Sequence, residues 1–264
     1  MTTDDYSFRF GGVERLYGRR ACLAFRDAHI AVAGLGGVGS WAAEALARSG
    51  IGTITLIDMD DVCVSNTNRQ LHALQGEYGR TKTEAMADRL RAINPQADIR
   101  VHFGFVTPGN LTELITRDMN GVVDAIDSVK SKAALIAHCQ RNKIPLVVAG
   151  GAGGQMDPSL IQVADLSRTI QDPLLAKIRN LLRRDYGFSR NPKRRFGVEA
   201  VFSTEQLTYP AADGEVCHQK PGNGPVRLDC ATGFGAACPV TATFGMMAAS
   251  RLINRIARKA TQSD

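Results

Sequence analysis

Apolar residues in this chain occur as short continuous runs alternating with stretches of helical spacing. The run His29-Ile-Ala-Val-Ala33 reads as a strand buried on both faces, and it leads directly into Gly34-Leu-Gly-Gly-Val-Gly39. Residues 40–49 are rich in small helix formers, and Gly50 and Gly52 end that helix. Residues 53–57 make a second strand with Asp58 at its C-terminal tip. Within 81–93, Ala85, Met86, Leu90 and Ile93 share one helical face, and the helix stops before Pro95. A third strand is expected at 99–105, a short helix at 111–115 and a fourth strand over 122–126 ending in Asp127. A helix over 132–141 and a fifth strand over 146–149 follow, running into Gly150-Gly-Ala-Gly-Gly154. A further helix carrying Arg15 is expected over 14–25, ahead of the first strand. Such alternation implies the α/β class: a Rossmann-like, doubly wound, mostly parallel sheet with right-handed crossovers. Regularity falls after about residue 155, so the pattern divides the chain into a core over 1–155 and an irregular C-terminal lobe over 156–264, packed as one unit.

Composition narrows the class. At 264 residues, 44% hydrophobic and 22% charged, the chain can bury a full core. The net charge of +6 suits RNA or another polyanion without requiring one. Met1-Thr-Thr-Asp-Asp5 does not begin a charged-then-apolar leader, so a cytoplasmic protein with reduced thiols is expected. The six cysteines form no C-x-x-C pair, which leaves neither a zinc ribbon nor a dithiol redox site readable. Residues 230–250 carry no charge and could match a bilayer in length. Pro239, three glycines and four hydroxyls favour a buried strand or helix there over a membrane span.

Candidate chemistry clusters between residues 34 and 127. Gly34-x-Gly36-x-x-Gly39, with Gly37 inside it, lets the backbone approach a phosphate at a helix N-terminus. Asp58 is placed to accept from ribose hydroxyls, a role common to NAD and ATP sites. Asp60 continues the acidic run. Arg69 and Lys82 bring two cations toward the same nucleotide, which suits a triphosphate better than a nicotinamide cofactor. Asn66, Asn68 and Gln70 add amide donors and acceptors to that run. Asp127 can hold Mg²⁺ together with phosphate oxygens, or cap the helix that follows; the sequence leaves both open. Arg183, Arg184, Arg190, Lys193, Arg194 and Arg195, with Tyr186 and Phe188 among them, form a basic loop suited to tRNA or to solvent alone.

Together, the glycine turn with Ser40, Asp58-x-Asp60-x-Val62, Ser65-Asn66-x-Asn68-Arg69-Gln70, Lys82 and Asp127-Ser128 resemble the adenylation core of the ubiquitin-activating superfamily over roughly residues 10–155. That resemblance implies ribose binding by Asp58, phosphate binding by Arg69 and Lys82, and Mg²⁺ binding by Asp127. It also implies a homodimer in which Arg15 reaches the neighbouring subunit's ATP. Beyond the core, Arg141-Asn-Lys-Ile-Pro145, Gly150-Gly-Ala-Gly-Gly-Gln155, Ile170-Gln-Asp-Pro173, Val201-Phe-Ser-Thr-Glu205 and Asp229-Cys-Ala-Thr-Gly-Phe-Gly235 are similar to the tRNA threonylcarbamoyladenosine dehydratase branch. The activity implied is ATP-dependent cyclisation of a threonylcarbamoyl group beside the anticodon, with residues 156–264 binding tRNA and the second subunit. The resemblance permits K⁺ or Na⁺ at the Gly150–Gly154 loop and a sulfur-mobilising cysteine desulfurase system as partner. Cys230 reads either as a thioester carrier or as a buried structural thiol. The alternatives are adenylation of a sulfur-carrier C-terminus, which the missing zinc pairs oppose, a nicotinamide-dependent oxidoreductase, and a non-catalytic nucleotide-binding scaffold.

Overall fold

The computed structural model describes residues 5–211, 214–218 and 234–262. Two helices open the chain, α1 (Asp5–Tyr17) and α2 (Arg19–Arg26). They divide the single helix expected over 14–25, because Gly18 between them takes φ +85°, a left-handed conformation that glycine adopts without strain. There follow β1 (His29–Ala33), α3 (Gly39–Arg48), β2 (Thr53–Asp58), α4 (Lys82–Ile93), β3 (Asp98–Phe103), α5 (Leu111–Leu114), β4 (Gly121–Asp124), α6 (Val129–Asn142) and β5 (Leu146–Ala149). Regular elements continue past residue 155 with β6 (Ile161–Asp165), α7 (Pro173–Asp185), β7 (Glu199–Ser203), a small hairpin of β8 (Tyr209–Pro210) and β9 (Val216–Cys217), and α8 (Cys238–Thr261).

The strands assemble in the order β3-β2-β1-β4-β5-β7-β6. All neighbours are parallel except β6, which joins β7 antiparallel at one edge. From β1 the chain moves outward through β2 and β3, then crosses back to place β4 on the other side of β1. Strand order therefore reverses between β1 and β4, and a doubly wound sheet opens its ligand crevice at that point. Apolar side chains cover both faces. Val32, Ile54 and Leu56 pack with α3 and α8 on one side, and Ala31, Val122 and Val148 with α6 and α7 on the other.

The uncharged segment contributes the start of α8, with Pro239 in its first turn, where the missing N–H costs nothing. Val240, Phe244, Ala248, Leu252 and Ile256 fall four apart on α8 and are buried. Among the described residues no helix is long and apolar enough to cross a membrane.

Three expected boundaries move. β3 spans residues 98–103 rather than 99–105. β4 ends at Asp124, so Asp127 lies in the loop beyond the strand and not at its tip. The basic loop is partly helical: Arg183 and Arg184 occupy the last turn of α7, whose Leu175, Ile178 and Leu182 are buried. Tyr186 and Phe188 pack against the core instead of standing free for bases, Phe188 lying 5.0 Å edge-on to Phe196. The guanidinium of Arg183 lies 5.3 Å above that same Phe196 ring. Arg184, Arg190, Lys193, Arg194 and Arg195 remain exposed.

Candidate active site

The glycine turn is set by close approaches that no side chain survives. A Cβ on Gly39 would stand 1.7 Å from the Gly34 carbonyl, and one on Gly34, at φ +87°, 2.8 Å from the Ala125 carbonyl. At Gly36 no atom comes within 4 Å of that position, so the turn is open on the side facing the crevice. No side chain caps α3; Ser40 N donates to the Gly36 carbonyl, and the remaining first-turn N–H groups are left for an anion. This open, uncapped turn is the cradle a nucleotide phosphate fits.

Asp58 ties the turn to the next strand. Its Oδ2 accepts from Leu35 N at 2.6 Å and its Oδ1 from Asp60 N at 2.8 Å. Asp60 is the counter-ion of Lys82: Nζ to Oδ2 is 2.6 Å, with the Lys82 side chain 7% exposed. Lys82 is the first residue of α4, held there by the Thr81 hydroxyl cap and by its own N–H on the Asp60 carbonyl. Arg69 lies against the turn, its Cγ 3.1 Å from where a Gly37 Cβ would be. Its guanidinium donates to the Ser65 carbonyl and to Asn68 Oδ1. Asn66 is buried and accepts from Cys63 N, shaping the bend, while Asn68 Nδ2 donates to the Ala236 carbonyl just before α8. The N-terminal part of α8 thereby closes over the turn, with Thr241 beside Gly37 and Gly245 beside Val38. Gln70 and His72 are buried next in the run, and neither Gln70 Oε1 nor either ring nitrogen of His72 has a protein partner. Burial, then the Lys82 charge, lower the His72 pKa to about 4, so the ring is neutral at pH 7.

The loop after β4 completes the crevice. Ser128, not Asp127, is the N-cap residue of α6, which removes the capping role left open for Asp127. Asp127 is exposed and makes no ion pair among the described residues, so its hard oxygens fit Mg²⁺ shared with phosphates. Beneath it lies a pair that sequence reasoning missed. Lys132 and Asp124 are both 0% exposed and 3.0 Å apart, and Lys132 Nζ also donates to the carbonyls of Asp124 and Ile126. Burial pushes the Asp124 carboxyl up, with Lys132 opposing that rise. Asp172 lies one strand further along, where its carboxylate accepts from Gly151 N and caps α7 through Leu175 N. Burial raises its pKa as well.

The glycine turn, Asp58, Asp60, Arg69, Lys82 and Asn68 are thus linked by contacts, and Gly34 meets the loop that carries Asp127. Arg15 is not among them: it is exposed on α1 and bonded to none of these residues. In the Gly150–Gly154 loop, Gly151 and Gly154 carbonyls accept from Gln155 Nε2 and Thr208 N. Cys230 lies outside the described residues. Of the other cysteines, Cys22 and Cys139 are buried and Cys63 is exposed. Among the described residues no group of three or more His, Cys, Asp or Glu could hold a metal.

A model of the ThiF family matches residues 13–263. The tRNA threonylcarbamoyladenosine dehydratase of Escherichia coli (strain K12) is 58% identical over 263 residues, covering 99% of this chain and 98% of that protein. The chain belongs to the ThiF family, among its tRNA threonylcarbamoyladenosine dehydratases. The dehydratase of Bacillus subtilis (strain 168) is 36% identical over 220 residues, 83% of each chain. A crystal structure of the Escherichia coli dehydratase in complex with ATP has a TM-score of 0.89 at 53% identity over 100% of both chains. The α/β class and the seven-stranded, mostly parallel sheet of this ThiF-family chain match that fold.

Proposed function

We propose that the protein is an ATP-dependent enzyme that cyclises threonylcarbamoyladenosine beside the anticodon of tRNA, through adenylation of the threonyl carboxylate. The observation that carries this reading is the open glycine turn flanked by Asp58, Arg69 and Lys82 at the β1/β4 switch point, in a chain 58% identical to a tRNA threonylcarbamoyladenosine dehydratase. The chemistry balances. A carboxylate oxygen attacks the α-phosphorus of ATP and pyrophosphate leaves. An internal nitrogen or oxygen then attacks the activated carbonyl, and AMP departs with the former carboxylate oxygen. Because nucleophile and electrophile sit on one molecule, the second step needs no enzyme nucleophile.

In this reading the turn and the α3 N-terminus hold phosphate, Asp58 meets the ribose, and Arg69 and Lys82 stabilise charge that accumulates as pyrophosphate leaves. Asp60 keeps Lys82 oriented until the triphosphate arrives. Mg²⁺ would be held by Asp127 and would neutralise phosphate charge there. Exposed Phe8 and Leu16 flank Arg15 along α1, which supports docking of a second copy and delivery of Arg15 to the partner's ATP. Exposed Arg184, Arg190, Lys193, Arg194 and Arg195 are the surface proposed to bind tRNA phosphates in the cytoplasm. Adenylation of a sulfur carrier is not favoured, because the similarity to dehydratases runs over nearly the whole chain. The test is pyrophosphate release from ATP with tRNA bearing threonylcarbamoyladenosine, against the same tRNA without it. Release only with the modified tRNA supports the reading, and release with a sulfur-carrier protein alone would replace it.

A further inference from the structure

Beside the crevice lies an open cavity of about 390 Å³ with a mixed polar and apolar lining, walled in part by Gln171, Asp172, Arg179, Gln206, Tyr209 and His218. That volume falls within the range of small-molecule sites, about 300–1,000 Å³. Its place in the fold ties it to the activation chemistry. Asp172 is bonded to Gly151, just past the end of β5, and feels the Lys132 charge. Lys132 in turn holds the Ile126 carbonyl, one residue before Asp127. The Asp172 wall of the cavity therefore lies at the sheet edge that carries the Asp127 loop, one strand along, with Arg179 further down α7.

Two features of its wall are unusual. Arg179 is half-buried, and among the described residues its guanidinium donates only to the Thr169 hydroxyl and has no carboxylate at ion-pair distance. Burial and then the neighbouring Arg183 push its pKa down, with Asp172 only partly opposing them. A desolvated guanidinium without a counter-ion is a receptor for an anion, and its planar fork matches a carboxylate. Gln171, next to Asp172, holds φ +55°, a left-handed backbone that strains a non-glycine residue and clusters at ligand sites. Tyr209 also lines the cavity, its ring packed 5.0 Å from Phe234, and such a ring is of the kind that stacks on an unpaired base.

We propose that this cavity receives the threonylcarbamoyl-bearing adenine of the tRNA on arrival, with Arg179 meeting the side-chain carboxylate before it passes to the nucleotide and Tyr209 meeting the base. The inference rests on the proposed function and adds to it the residues that distinguish a modified tRNA from an unmodified one. The phosphate-facing basic residues bind both tRNAs alike, whereas Arg179 meets only the one that carries a carboxylate.

The experiment compares wild type with Arg179→Gln and Arg179→Lys. It measures affinity for ATP and for tRNA with and without the modification, together with kcat and KM for pyrophosphate release. For Arg179→Gln, ATP affinity and affinity for unmodified tRNA stay as in wild type. KM for the modified tRNA rises about 10- to 100-fold, the loss expected for a charge-assisted pair. Arg179→Lys, which keeps the charge and loses the fork, falls between. Free threonylcarbamoyladenosine nucleoside inhibits wild type and loses its effect on Arg179→Gln. Equal weakening toward both tRNAs would mean that the guanidinium meets backbone phosphate, and no weakening would mean that it meets nothing; either overturns the proposal. Should Arg179→Gln lose ATP binding through misfolding, Tyr209→Ala carries the same test, with a raised KM for the modified tRNA alone as the expected result. Wild type that releases no pyrophosphate with modified tRNA would bring down the functional reading itself. Wild-type turnover matched by the variants would bring down the cavity assignment alone.

Discussion

Lys132→Met probes the support beneath the Asp127 loop. The substitution removes an ammonium with 0% exposure that donates to Asp124 Oδ1, to the Asp124 carbonyl and to the Ile126 carbonyl at 2.9–3.0 Å. It leaves an equally buried carboxylate whose Oδ2 already lacks a partner. Breaking one side of a buried pair costs about 3–5 kcal/mol. Asp124 softens that cost by binding a proton, since burial pushes its pKa up and Lys132, ahead of the Ile126 N–H, is the main group that opposes the rise. The loss should therefore fall near the lower end, about 3 kcal/mol, or a drop in Tm of roughly 6–12 °C at about 2–4 °C per kcal/mol for a chain of this size. The pH dependence has a defined sign. Between the ordinary carboxylate pKa and its raised value, the folded variant holds a proton that the unfolded chain has released. The penalty relative to wild type should then shrink as pH falls through the raised value toward the ordinary carboxylate range. Adding Asp124→Asn removes the stranded charge and should restore part of the loss. Urea unfolding as a function of pH gives the numbers. A loss under about 1 kcal/mol, or a penalty indifferent to both pH and Asp124→Asn, would refute the claim that this pair is buried and coupled.

Arg69→Ala and Lys82→Ala should each lower kcat by about 10²–10³ while changing ATP affinity far less, because their charge is needed as pyrophosphate leaves; steady-state kinetics beside ATP titration separates the two effects, and near-normal kcat would remove the residue from the site. His72 should make the protein acid-sensitive. Its folded pKa of about 4 lies below the ordinary value of 6.5, so its contribution is complete above pH 6.5 and is lost as pH falls toward 4. That window is worth about 3 kcal/mol of stability, and a His72→Gln variant that unfolds with the same acid profile as wild type would contradict it. Arg190→Glu combined with Arg194→Glu should weaken tRNA binding and flatten its salt dependence without altering ATP affinity; an unchanged salt slope would assign that surface to solvent.

Local signals made the crevice legible. The run His29–Ala33, the spacing Gly34-x-Gly36-x-x-Gly39 and Asp58 at the next strand's end each act within a few residues, and the structure assembles them as their order implies. The support beneath was hidden because it depends on tertiary burial. Lys132 reads as an ordinary helix-surface lysine, and only the pairing of β4 with β1 and the packing of α6 on that face drive it inside. Starting α6 at Val129 instead of residue 132 would have placed Lys132 in the first turn, close to Asp124. In the basic stretch, Leu175, Ile178 and Leu182 carried a helical spacing that reaches into Arg183 and Arg184, but the density of charge masked it. The insertion of β7 between β5 and β6 joins residues 52 apart on one side and 34 to 42 apart on the other, a register that no local pattern encodes.

The central claim is that the crevice turns a carboxylate into its AMP ester. Threonylcarbamoyladenosine labelled with ¹⁸O in the threonyl carboxylate, in tRNA, tests it directly when the nucleotide products are weighed after one turnover. One labelled oxygen in AMP, with unlabelled pyrophosphate, is the predicted outcome. Label in inorganic phosphate alongside ADP would show γ-phosphoryl transfer instead and contradict the account.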